Sequence, residues 1–227
     1  MTIEPVLAVL PLGATEQHGA HLPLQTDTLL ATAAAHALAA ADCLGHRDAR
    51  VLPALAYGAS GEHQSFPGTV SMGTEALAQV VLELGRSVST WATRFVVVNG
   101  HGGNLDALRR AVPQLRREGR DAAWLPCRTS EHAADTHAGH AETSLMLHLH
   151  PDLVRVDRAA PGCLRPLPEI LPALRAGGVA AVSPSGVLGD PTTATSADGC
   201  RLWEELLADA RARLTRWQPG EADGMLR

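Results

Sequence analysis

The run Phe95-Val-Val-Val98 passes without interruption into Asn99-Gly-His-Gly-Gly-Asn104, and this junction restricts the fold more than any other part of the chain. An aromatic and three β-branched residues in a row suit a strand covered on both faces, as in a parallel sheet flanked by helices. Helical periodicity resumes at Leu105 and stops at Gly119. Strand, glycine-rich turn and helix in succession are the grammar of an open parallel sheet, whose ligands collect beyond the carboxyl ends of its strands. His101 falls at such an end. The turn has the glycines a phosphate cradle needs but no Lys, and its spacing matches neither the Walker pattern nor the dinucleotide fingerprint.

A second short apolar run, Val6 to Leu10, is halted by Pro11 and Gly13 and opens into LGATEQHGAHLPLQTD, residues 12–27. Glu16 and His18 are two residues apart, so an extended backbone projects them the same way. Asp27 begins an Ala/Leu helix that reaches Ala41. Two carboxylates and an imidazole beyond one strand end form a mixed oxygen and nitrogen donor set of the kind borderline divalent ions accept. A solvated Glu16, surface histidines and a helix-capping Asp27 fit the same stretch. Ligands from other strand ends separate the two readings.

Further strands are expected at 50–54 and 122–126, and helices at 75–92 and 105–118. Between them, 57–74 is a long glycine-rich loop, and such loops in compact domains are usually functional. Its Ser60, Glu62, His63 and Gln64 are candidates for lining a pocket. After the strand at 122–126 comes Asp135-Thr-His-Ala-Gly-His-Ala-Glu-Thr-Ser144, which places His137, His140 and Glu142 before a helical run at 145–150. Beyond Pro151 the sequence suggests a helix at 169–175, a short strand at 179–182, a turn-rich stretch and a closing helix at 200–217. With few His or carboxylate groups converging there, this part is expected to be scaffold or an oligomer contact.

The 227 residues, 45% of them hydrophobic, suit one domain spanning 1–227. A formal net charge of -5 argues against a general nucleic-acid binder, which needs a surplus of Lys and Arg on one face. No apolar stretch approaches a membrane span. Cys43, Cys127, Cys163 and Cys200 are scattered without a CxxC pair, a pattern of reduced thiols that points to the cytoplasm.

In this order and at these separations, LGATEQHGAHLPLQTDT, EHxxFPGT, VVVNGHGGN and HAGHAETS resemble the creatininase family of metal-dependent amidohydrolases. AYGASGEHQ, EGRDAAWLPC and GGVAAVSPSGVLGDPTTAT resemble those members that act on a ribosomally made precursor peptide. The resemblance implies an α/β fold, a three-layer αβα sandwich on a mostly parallel sheet, and a ring-like homo-oligomer. It also implies two divalent ions (Zn, Fe or Mn), Glu16, Asp27 and His101 holding one, His18 and Asp27 the other. Creatininase completes the second ion with a glutamate two residues beyond the NGH histidine. Gly103 stands there in this chain, and Glu142 is the expected replacement. The tryptophan that creatininase has four residues before its HAG histidine is Ala133 here, which argues against a creatinine-shaped pocket. The implied reaction is release of a C-terminal Val-Tyr dipeptide from the modified precursor, by a water that the ions acidify. His137 is the expected oxyanion donor and leaving-group acid, at an ordinary histidine pKa, with Glu142 as ligand or acid/base group. Ser60, Glu62 and His63 are expected to support the metal or the substrate. Other cyclic-amide or formamide hydrolases, or a non-catalytic metal-binding scaffold, are the alternatives.

Overall fold

The computed structural model describes residues 6–40, 48–129 and 135–227. Four parallel strands, β1 (Val6–Leu12), β2 (Asp48–Val51), β3 (Arg94–Asn99) and β4 (Ala122–Pro126), form one sheet in the order β2-β1-β3-β4. Six α-helices accompany it among the described residues: α1 (Thr26–Ala39), α2 (Thr74–Val88), α3 (Leu105–Arg117), α4 (His140–Leu149), α5 (Leu167–Gly177) and α6 (Ser196–Arg216).

Strand alternation separates the core into two sides. Val6, Ala8, Leu10 and Leu12 of β1 pack with Leu77 and Val81 of α2 and with Leu108, Val112 and Leu115 of α3. Leu7 and Val9 face the other way, onto Ala34, Ala35 and Leu38 of α1 and Leu206, Ala210 and Leu214 of α6. Because both faces of the sheet are covered, its strands read as continuous apolar runs. Each fully buried Leu or Val contributes about 1.5–3 kcal/mol. The expected three-layer αβα arrangement is therefore present, and no described helix is long and apolar enough to cross a membrane.

The strand order also locates the crevice. From β1 the chain crosses outward to β2, then returns to place β3 on the other side of β1, so the switch point lies between β1 and β3. Leu12 and Asn99, the last residues of these strands, are paired neighbours. A Cβ on Gly13 would lie 2.4 Å from the Thr28 backbone, and one on Gly100 would lie 2.4 Å from the Asp27 carbonyl oxygen. Glycine at both positions lets the first turn of α1 press against the two strand ends, which carries Asp27 into the crevice.

Four expectations are corrected. The first strand does not halt at Pro11 but runs through it to Leu12, with Pro11 paired to Val98. Residues 179–181 form a single 3-10 turn instead of a strand. Gly178 enters it at φ 69°, and a short apolar run does not by itself separate strand from helix. The second strand ends at Val51, before Pro53. Helix α4 begins at His140, so Glu142 sits within its first turn. Cys127, Cys163 and Cys200 are free thiols. Cys43, Ala133 and the expected end of the first helix at Ala41 lie outside the described residues.

Candidate metal centre

Carboxylates and imidazoles from separate segments meet beyond the ends of β1 and β3. Glu16 and His18 leave β1 on one loop, Asp27 lies in the first turn of α1, His101 follows β3, and His137 and Glu142 flank the start of α4. Asp27 is in the middle: Oδ1 lies 3.2 Å from His18 Nε2 and Oδ2 3.3 Å from His101 Nδ1. Glu16 Oε2 is 3.2 Å from His101 Nε2, and Glu16 Oε1 is 3.7 Å from His137 Nδ1. Glu142 Oε2 is 3.9 Å from His18 Nε2 and is held by the Ala138 N–H, which donates to it at 2.6 Å. Ala138, wedged between His137 and Gly139, is in the left-handed region at φ 53°, a strained conformation of the kind that collects at functional sites.

Hydrogen bonds fix the orientation of three rings. A carbonyl only accepts, so a ring nitrogen bonded to one carries the proton. His18 Nδ1 donates to the Glu16 carbonyl at 3.1 Å, His101 Nε2 to the Ala59 carbonyl at 3.3 Å, and His137 Nε2 to the Gln17 carbonyl at 2.8 Å. In each neutral ring the other nitrogen is bare and faces a carboxylate oxygen. Metal-ligating histidines are held this way, with the outer N–H engaged and the inner lone pair free. Both carboxylate oxygens of Glu16, and Asp27 Oδ2, are buried without a hydrogen-bond partner among the described residues. Orphaned carboxylate oxygens facing imidazole nitrogens in a dry site fit a divalent cation, since burying such groups unpaired is costly.

Electrostatics follow from the same crowding. Burial pushes the Glu16 carboxyl up to about 7. Burial opposes a proton on His18, but Asp27 at hydrogen-bond distance, with Glu142 and Glu16, outweighs it and raises the ring to about 10. His101 is raised against the same burial by Glu16, Asp27 and Glu62. Asp27 resists burial through His18 and His101, and its carboxyl stays below the usual range. A cation entering this cluster takes the place of protons on His18 and His101.

The sequence-derived candidates Glu16, His18, Asp27, His101, His137 and Glu142 thus share one place. His137 differs in two respects from expectation. With Nε2–H given to the Gln17 carbonyl, the inward Nδ1 of the neutral ring has no proton to donate to an oxyanion. Burial and the neighbouring His18 and His63 hold its pKa well below 6.5, so the ordinary value expected of it is not met. Ser60 Oγ is 3.4 Å and Glu62 Oε1 3.6 Å from His101 Nε2, while His63 is buried with Nε2 3.5 Å from Glu16 Oε1. A Cβ on Gly103 would come within 2.3 Å of the Ala59 carbonyl oxygen and 2.6 Å of Glu62 Oε1. The loop at 59–62 therefore fills the space from which a side chain at 103 would reach the centre.

Sequence reasoning overlooked Gln17, which is buried and bonded to His63 and to the Gly186 carbonyl. No local signal marks it, because those partners lie 46 and 169 residues away. The C-terminal third is also more than scaffold: Leu188 forms an antiparallel bridge with His137. Asp27, His101, His137 and Glu142 line a cavity of about 1110 Å³ whose other walls include Leu30, Leu145 and Leu171.

The family model described as "Creatininase: Creatinine amidohydrolase" matches residues 3–214. A protein of Mycobacterium ulcerans (strain Agy99) named mycofactocin precursor peptide peptidase is 55% identical over 224 residues, 96% of this chain and 88% of that protein. Among solved structures, a manganese creatininase superposes with a TM-score of 0.72 at 30% identity, covering 96% of this chain and 92% of that one. A mutant creatininase of Zn-Zn type gives 0.72 at 29% identity over the same shares. With a family match across nearly its whole length and this identity to the mycobacterial relative, the chain belongs to the creatininase family.

Proposed function

We propose that this protein is a metal-dependent peptidase of mycofactocin biosynthesis that removes the C-terminal Val-Tyr dipeptide from a modified precursor peptide. The observation that carries the hydrolase part is the buried set of carboxylate oxygens of Glu16 and Asp27, without hydrogen-bond partners among the described residues, that meets imidazole nitrogens where Asp27, His101 and His137 line the cavity. The peptide part rests on the identity to relatives bearing that name. Glu16, Asp27 and His101 would hold one divalent ion (zinc, iron or manganese), and His18, Asp27 and Glu142 a second. When bound, such ions acidify a water and polarise a carbonyl.

The chain's own groups supply the rest. His137 Nδ1, bare and facing the centre, accepts a proton from the attacking water and returns it to the leaving amine. Its Nε2–H bond to the Gln17 carbonyl keeps the ring in that tautomer. Leu30, Leu145 and Leu171 give the dipeptide's side chains apolar walls and exclude water. Ser60 and Glu62 bear on the far nitrogen of His101 and steady it. The reading includes a single metallohydrolase domain acting as a homo-oligomer in the cytoplasm.

Metal-reconstituted protein incubated with the modified precursor should release Val-Tyr, detected by mass spectrometry, and leave creatinine untouched. Turnover of creatinine with no cleavage of the peptide would overturn the proposal in favour of a cyclic-amide hydrolase. Metal binding without turnover of either would indicate a scaffold.

A further inference from the structure

Four buried imidazoles surround the centre, and one of them is oriented against the pattern of the other three. His18, His101 and His137 each give one N–H to a backbone carbonyl, which leaves the other nitrogen, bare once the ring is neutral or holds an ion, facing Asp27 or Glu16. His101 Nε2 also lies 3.2 Å from Glu16 Oε2. No backbone carbonyl among the described residues accepts from His63. Its outer nitrogen, Nδ1, instead lies 2.9 Å from the Gln17 side-chain Nε2. The orientation of that amide is fixed at both ends: Oε1 accepts from the Gly19 N–H at 2.9 Å, and Nε2 donates to the Gly186 carbonyl at 3.1 Å. An amide nitrogen only donates, so His63 Nδ1 is the acceptor and its proton sits on Nε2. The approach of Gln17 Nε2 to His137 Nε2 at 3.2 Å is then a contact between two donors, because the His137 proton is already committed to the Gln17 carbonyl at 2.8 Å.

His63 Nε2 faces Glu16 Oε1 at 3.5 Å, and that oxygen is buried without a hydrogen-bond partner among the described residues. His137 Nδ1 faces the same oxygen at 3.7 Å. One carboxylate oxygen is thus approached by a bare nitrogen and by an N–H. Glu16, His63 and His137 place ligand atoms within 4.8 Å of one another, as do His18, His137 and Glu142, and Glu16, His18 and Asp27, so distance alone makes His63 a candidate ligand. The tautomer argues against it: a protonated Nε2 has no lone pair to offer an ion.

We infer that Gln17 is a positioning residue that holds His63 with its Nε2 proton turned toward Glu16, so that His63 orients this carboxylate as a donor and does not bind a metal. Ligating carboxylates are commonly held by such outer hydrogen bonds, and losing one costs roughly 10- to 100-fold in metal affinity or activity. The inference rests on Glu16 being a ligand in the centre proposed above, while the tautomer itself is independent of any substrate.

Ring-nitrogen NMR of the zinc-loaded protein, with histidines labelled with ¹⁵N, tests this directly. His63 should carry its proton on Nε2. In Gln17→Glu, whose carboxylate only accepts, the proton should move to Nδ1. His137 should keep its tautomer in that variant, because its partner is a backbone carbonyl. The same variant should lower kcat roughly 10- to 100-fold with KM little changed. His63→Gln, which retains an N–H near the Nε2 position, should keep most activity and full zinc content, whereas His63→Leu should lose activity. A proton on Nδ1 of His63 in the unaltered protein, or loss of zinc in His63→Gln, would overturn the inference. Should the unaltered enzyme fail to cleave the peptide, the functional proposal fails, but the NMR and zinc measurements still decide the role of Gln17.

Discussion

Replacing Asp27 by Asn removes one negative charge from the middle of the cluster while keeping the shape of the side chain. In the metal-free protein, burial disfavours a proton on His18, yet Asp27 at 3.2 Å, with Glu142 and Glu16, holds that proton up to about 10. In the unfolded chain the ring titrates near 6.5. Between these values the folded protein binds a proton that the unfolded chain does not, so stability is full below about 6.5 and is lost as pH rises toward 10. At about 1.4 kcal/mol per pH unit, the whole span is on the order of 5 kcal/mol. Glu16, raised to about 7 by burial, adds to the loss between 4.5 and 7. His63 and His21, lowered by burial to about 3 and about 4, act in the opposite sense and cost stability as pH falls below 6.5. The metal-free protein is therefore expected to be most stable near pH 6.5. Urea unfolding in chelator, followed by tryptophan fluorescence from about pH 6.5 to about 9.5, measures the decline. Asp27→Asn removes the largest attraction on the His18 proton, so the decline over that range should fall to less than about half. Saturating Zn²⁺ should flatten it in the unaltered protein, because ions bind the deprotonated ligands. Equal declines in the two metal-free proteins would refute the placement of Asp27 as the counter-charge of His18.

Metal binding should release protons: calorimetric titration with Zn²⁺ near pH 8, in buffers of different ionisation enthalpy, should show about one or more protons per chain. Asp27→Ala should remove both ions by elemental analysis, whereas Glu142→Ala should weaken chiefly one; undiminished occupancy in Glu142→Ala would dismiss Glu142 as the replacement ligand. Gly103→Ala should destabilise the protein by about 1–3 kcal/mol, read as a lower urea midpoint, because its Cβ would meet the backbone oxygen of Ala59 at 2.3 Å. An unchanged midpoint would mean that the 59–62 loop yields freely.

Much of the framework is legible in the chain because its signals are local. β1, β3 and β4 are apolar runs, with Gly13, Gly100 and Pro126 at or just beyond their ends, and the helices between them keep one periodic face. Glu16 and His18 on one loop, His101 in the NGH turn and Glu142 in HAGHAETS are visible for the same reason. The short run at 179–182 misleads because four apolar residues suit a strand or a helical turn alike, and no strand among the described residues pairs with it.

The sequence by itself therefore determined the parallel αβα framework and delivered most of the candidate ligands to strand ends, since strand period, turn residues and motif spacing are properties of short segments. Only the tertiary structure decided which nitrogen of each imidazole faces inward, that His137 is held neutral, that Gln17 governs His63, and that residues 186–188 close the far side of the site. Those outcomes depend on burial and on carbonyls and amides contributed from distant segments. Proton positions in a dry cluster are set by such partners and by the fields of neighbouring charges, which no local pattern encodes.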